Sequence, residues 1–132
     1  MRQRLKSLQR LLSVQKDMHR LAEWRFAALE RQLNALRAEQ KRLVSYLDDE
    51  RLFTLAYTKT IVERLRALAE AEERLTRERD AQSRILLQGA RRMGQVAHAA
   101  EAVAEHCRRD EERRELDAAI DAALSRPDAS FR

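Results

Sequence analysis

The chain has 132 residues, of which 37% are charged and 5% aromatic, with two glycines and one proline. So little turn chemistry excludes folds that need many tight connections and leaves a few very long helices. The net charge of +5 is uneven: residues 1–45 carry eleven Lys/Arg against four acids, 46–83 seven against nine, and 84–132 nine against nine. A basic first arm suits an acidic partner surface or a nucleic-acid backbone, and it equally suits a coiled coil with one solvated basic face. Hydrophobic residues make up 44% and recur at regular spacing, which argues for ordered helices over disorder.

Cys107 is the single cysteine, so neither a disulfide framework nor a CxxC metal site is available, and a reducing cytoplasm is the expected compartment. The positive opening Met1-Arg2-Gln3-Arg4 is interrupted by Gln9, Arg10, Ser13 and Gln15. No Sec signal peptide is expected, and no run approaches the ~20 apolar residues of a membrane span.

From Leu5 a seven-residue pattern runs through positions 5, 8, 12, 15, 19, 22, 26, 29, 33, 36, 40, 43 and 47, where only Gln15, His19 and Gln40 are polar. This is a period-3.5 seam that wants a partner helix. Leu11, Val14, Met18 and Leu21 widen the stripe near its start. An arm from about Leu5 to Asp48 would be roughly 65 Å long.

The stretch from Leu43 to Ile61 is the expected fold-back point. Asp48, Asp49 and Glu50 suit a helix start better than a helix end, and Thr54, Thr58, Thr60, Ile61 and Val62 are modest helix formers. Thr60-Ile61-Val62-Glu63 matches a capping box, so the second arm begins anywhere from Arg51 to Ile61. One unbroken helix is the alternative, because Leu52, Leu55 and Ala56 are good helix formers. The working assignment is arm one at about 3–49, tip at about 50–59 and arm two at about 60–126, all in a single domain.

A second, poorer seam passes through Ile61, Leu65, Leu68, Leu75, Leu86, Met93, Val96, Ala100 and Val103, with Glu72, Arg79, Gln82 and Gly89 in intervening core slots. Glu70 with Arg74 and Glu73 with Arg77 have i,i+4 spacing. Gly89 and Gly94 mark either a second turn or a soft point in one helix, and the helical spacing of their flanks favours the soft point. An all-charged octet, 108–115, precedes a stripe at Leu116, Ile120, Ala123 and Leu124, and Pro127 should end the helix near Ser125 or Arg126.

A turn centred near residue 54 places residue i opposite about 108 − i, because both arms rise equally. Leu5 then faces about Val103, and arm two projects past arm one by about 20 residues. Leu116, Ile120 and Leu124 on that projection form a docking surface or fold back on Leu11, Met18 and Leu21. The expected fold is thus all-α, a long antiparallel two-helix coiled-coil hairpin with a longer, projecting second helix.

Motifs for chemistry are missing: the sequence has no Walker A, GxGxxG, GxSxG or HExxH. His19 with Glu23 and His98 with Glu101 lack the Glu-x-x-His pattern of di-iron bundles. His106 and Cys107 have no third ligand, and Trp24 and Phe26 read as packing residues. No enzyme activity, cofactor, metal or small-molecule substrate is expected. Nucleic acid is a weaker expectation, because the basic residues are spread around the arm without aromatic interleaving.

The basic start, two long arms, aromatic tip and Arg/Glu-rich final arm resemble the FliJ/YscO family of coiled-coil stalk proteins in flagellar and type III export systems. The most specific part is Leu43-x-x-Tyr46 before the tip and Tyr57-x-x-x-Ile61 after it. The resemblance implies a non-enzymatic stalk at the cytoplasmic face of the inner membrane, reaching the membrane only through the export apparatus. Its implied partners are an export gate protein (FlhA-like), a hexameric export ATPase (FliI-like) and, in some members, export chaperones. Leu43, Tyr46, Tyr57 and Ile61 become gate-contact candidates, and Leu5, Leu8, Leu116, Ile120 and Leu124 become ATPase-end candidates by position. The chain is somewhat short for the family and lacks the longer tip loop of some flagellar members. A generic cytoplasmic coiled-coil adaptor or homodimer is the alternative, and a basic nucleic-acid-binding coiled coil comes after it.

Overall fold

The computed structural model describes residues 2–49 and 55–126 and places two helices in them, α1 (Arg2–Leu47) and α2 (Leu55–Leu124). The protein is an all-α, antiparallel two-helix hairpin, and no strand occurs among the described residues. Helix α1 closes with the Asp48 amide donating to the Val44 carbonyl at 3.2 Å and the Asp49 amide to the Tyr46 carbonyl at 3.2 Å. The expected turn centre near residue 54 lies outside the described residues. So do Phe53, the aromatic expected to plug the end of the hairpin, and Pro127.

One boundary of α2 differs from the sequence expectation and the other agrees with it. Helix α2 starts at Leu55, inside the open range of starts but ahead of the 60 assigned to arm two. The Thr60-x-x-Glu63 box is therefore interior to the helix and does not mark its start. At the other end the expectation holds: α2 stops at Leu124, and Ser125 caps it, its amide donating to the Asp121 carbonyl at 2.9 Å and its hydroxyl to the Ala122 carbonyl at 3.2 Å.

Contacts divide the chain into two units, residues 17–90 and residues 1–16 with 91–132. In the 17–90 unit the two helices pair along the expected seams. Ala22, Leu33, Leu36 and Leu68 are buried, while Phe26, Leu29, Leu43, Leu47, Ile61, Leu65, Leu75 and Leu86 are half-buried. A knob entering a hole between two helices still shows its flanks to solvent, so half-burial is what a two-helix seam offers. The pairing follows the 108 − i rule closely. Arg37 Nε lies 3.3 Å from Glu72, Arg79 lies 3.7 Å from Glu30, and His19 packs against Gly89.

Two polar residues of the α2 and α1 seams find partners across the hairpin. Gln40 donates to Glu72 Oε2 at 2.9 Å, and Gln82 donates to the Ala22 carbonyl at 3.4 Å. Gln40 and Glu72 thus satisfy each other within the seam, and Gln82 uses a main-chain carbonyl of α1. Arg64 also crosses to Glu39, with Nε to Oε1 at 3.1 Å. The expected pairs Glu70–Arg74 and Glu73–Arg77 do not form, and the ion pairs of this stretch reach across to α1 instead.

Gly89 lies within the unbroken helix α2, so it marks no second turn, in agreement with the preferred reading of one long helix. A Cβ built there would sit 3.3 Å from His19 Nδ1, so the missing side chain is the hole that admits the imidazole. Gly94 is also helical, and a Cβ there would have nothing within 4 Å.

In the other unit, Leu5, Leu8, Leu12 and Gln15 of α1 are half-buried, and on α2 so are Met93, Val96 and Val103, with Ala100 buried. The α2 seam continues beyond Val103 through half-buried Cys107 and Asp110, and Arg2 forms an ion pair with Glu111. Pairing therefore outlasts the apolar seam, because charged side chains at its end reach across to each other. Every residue from 111 to 126 is exposed. The unpartnered part of α2, residues 112–124, is about 20 Å long, shorter than the projection expected from sequence.

Candidate partner-binding surfaces

The four gate-contact candidates separate into two kinds. Leu43 and Ile61 are half-buried seam residues, whereas Tyr46 and Tyr57 are exposed at 48% and 61%. The tyrosines lie one turn to either side of the connection, on positions outside each helix's apolar stripe. A tyrosine there presents a large apolar ring with a polar hydroxyl, the type of side chain that anchors protein interfaces.

The ATPase-end candidates separate in the same way. Leu5 and Leu8 are half-buried in the seam, while Leu116, Ile120 and Leu124 are exposed. Three large apolar side chains at i, i+4 and i+8 on an unpartnered helix form a continuous stripe. Just before this stretch, charges on the helix surface pair with one another: Arg108 donates to Glu105 at 2.6 Å, and Arg109 Nε lies 3.3 Å from the same carboxylate.

Sequence reasoning missed one surface. Trp24, expected to pack, is 74% exposed. With Leu21, Arg25, Ala27, Ala28 and Arg31 it lines a shallow groove on the outer face of α1. The signal was present in the widened stripe, since Met18 and Leu21 are also exposed. A second apolar stripe on a helix whose first stripe is already paired points outward.

Two polar sites have defined electrostatics. Glu72 accepts from Gln40 and from Arg37, and these two donors hold its carboxyl below the usual carboxylate range. His19 is mostly covered, with Nε2 3.0 Å from Glu23 and Nδ1 buried without a hydrogen-bond partner. It fills the Gly89 hole as a polar seam residue of the kind that sets coiled-coil register.

Among the described residues no group of three or more His, Cys, Asp or Glu side chains gathers at metal-binding distance. None of their helices is long and apolar enough to cross a membrane. Comparison with protein-family models, with curated proteins and with solved structures finds no match.

Proposed function

We propose that this chain is a non-enzymatic stalk component of a flagellar or type III protein export apparatus, of the FliJ/YscO kind. The observation that carries the reading is a helical hairpin with one exposed apolar surface beside the connection and another on the final turns of α2. One is Tyr46 and Tyr57 beside the connection, and the other is Leu116, Ile120 and Leu124 on the unpartnered end of α2. In this reading the tyrosines meet the FlhA-like gate and the α2 stripe engages the FliI-like ATPase hexamer, so that the protein couples the ring to the gate. Leu43, Ile61, Leu5 and Leu8 support these contacts by holding the helices together. Export chaperones are further partners, and the site of action is the cytoplasmic face of the inner membrane. Nucleic acid fits less well, because Arg37, Arg64 and Arg79 of the seam flanks are already engaged with carboxylates.

Co-purification tests the reading. The full chain should retain a hexameric export ATPase, and a chain stopped after Glu111, which keeps the Arg2–Glu111 pairing, should lose it. Retention by the shortened chain would remove the α2 stripe from the interface. A generic adaptor or homodimer is the second reading, favoured by the exposed Trp24 groove; capture of neither ATPase nor gate would leave it standing.

A further inference from the structure

Two of the exposed apolar surfaces are edged by charges of opposite sign that make no ion pair among the described residues. On α1, Glu30 pairs with Arg79 and Glu23 lies 3.0 Å from His19 Nε2, whereas Arg25 and Arg31 at the edges of the Trp24 groove have no carboxylate within ion-pair distance among the described residues. On α2, Glu115, Asp117 and Asp121 likewise have no cationic partner, although acids a turn or two earlier do.

Each charge set frames an apolar stripe. By helical projection, Leu21, Trp24 and Ala28 lie between Arg25 on one edge and Arg31 on the other. Leu116, Ile120 and Leu124 lie on a stripe edged by Asp117 and Asp121 on one side and, further round, by Glu115 on the other, where Glu112 is engaged with Arg108. The dimensions also agree: residues 116–124 span about 12 Å and residues 21–28 about 11 Å. Three charges run against the match: Asp17 one turn before the groove, and Arg113 and Arg114, which precede the apolar stripe at the start of the 112–124 segment.

We infer that residues 112–124 of one copy of this chain dock in the Leu21–Trp24–Ala28 groove of a second copy. Leu116 and Ile120 seat against the indole, and Asp117 and Asp121 face the groove arginines. This is helix-in-groove recognition with a charged rim. Each copy carries one donor helix and one acceptor groove, so the contact is heterologous, joining unlike surfaces. A contact this small gives weak, reversible association rather than a permanent dimer. The inference concerns the chain alone and holds whether or not it serves an export ATPase.

Light scattering and Trp24 emission on the purified full chain test this, since Trp24 is the single tryptophan. With rising concentration at low salt, the mass should exceed that of a monomer and the emission should shift to the blue as the indole is covered. Raising salt from roughly 50 to 500 mM should weaken both changes through screening. Loss of a buried aromatic anchor by Trp24→Gln should weaken association about 30-fold or more. The pair Arg25→Glu with Arg31→Glu should be monomeric, and so should the pair Asp117→Lys with Asp121→Lys. All four positions are exposed, so helicity should be kept in each. Mixing the two swapped proteins should restore association, because each then presents the complement of the other.

A chain that stays monomeric to about 1 mM at low salt, far above what a weak specific contact requires, overturns the inference. So does self-association that Trp24→Gln leaves unchanged, or swapped pairs that fail to recombine.

Discussion

Gly89 and Gly94 lie five positions apart on the same helix, and neither has a positive φ, yet they should respond differently to a methyl group. In a helix interior Gly→Ala gains about 0.8–1.0 kcal/mol when the new Cβ meets nothing. Gly94→Ala should realise that gain, because nothing lies within 4 Å of its Cβ position. Gly89→Ala places its methyl 3.3 Å from His19 Nδ1, on a ring already packed between the helices. The imidazole must shift by a few tenths of an ångström, and overpacking of that kind costs about 1 kcal/mol or more. The two effects offset, so Gly89→Ala should be neutral or destabilising by up to about 1 kcal/mol. In a His19→Ala background the obstruction is gone, and Gly89→Ala should recover a gain of about 1 kcal/mol. Loss of the Glu23 contact is common to both arms of that cycle and cancels. Urea unfolding followed by helical circular dichroism, at fixed pH and salt, measures all four corners of the cycle and the Gly94 variant. Equal gains from the two glycines, or no coupling between positions 19 and 89, would refute the knob-and-hole account of the seam.

Burial makes a second contrast. Leu33 is 1% exposed, and Leu33→Ala should cost about 2–4 kcal/mol, the lower part of the range because a seam open to water on its flanks can relax. Leu116→Ala, at 61% exposure, should stay within about 0.5 kcal/mol by the same urea assay. Glu72 has a folded pKa below its unfolded one, so its stabilising contribution is present above the ordinary carboxylate value near 4.5 and fades as pH falls through the lowered value. Unfolding midpoints should therefore fall between about pH 5 and 3, and Glu72→Gln should flatten part of that fall. An unchanged acid limb in the variant would show that Gln40 and Arg37 do not favour the charged form.

The thirteen-position stripe from Leu5 to Leu47 was legible in the sequence, and each of those residues is buried or half-buried. Helical side chains three and four apart share a face whatever surrounds them, so local geometry alone selects that set. Equal rise per residue likewise made the register predictable from one assumed turn centre, and the Arg37–Glu72, Glu30–Arg79 and His19–Gly89 contacts agree with it. The start of α2 was not legible, because Leu55 and Thr60 are both acceptable first residues and the choice depends on which closes the connection. Nor could spacing show that Glu70 and Glu73 would forgo their i,i+4 arginines while neighbouring Glu72 crossed to Arg37 and Gln40. Trp24 was misread for a related reason. Its apolar character is a property of the residue, but its exposure depends on whether a third helix covers the outer face of α1, and none does among the described residues. Spacing along one helix is a local property, fixed by bonded geometry. Which polar seam residues meet, and which apolar faces remain uncovered, depends on contacts between residues far apart in the chain, and only the packing of the two helices decided them.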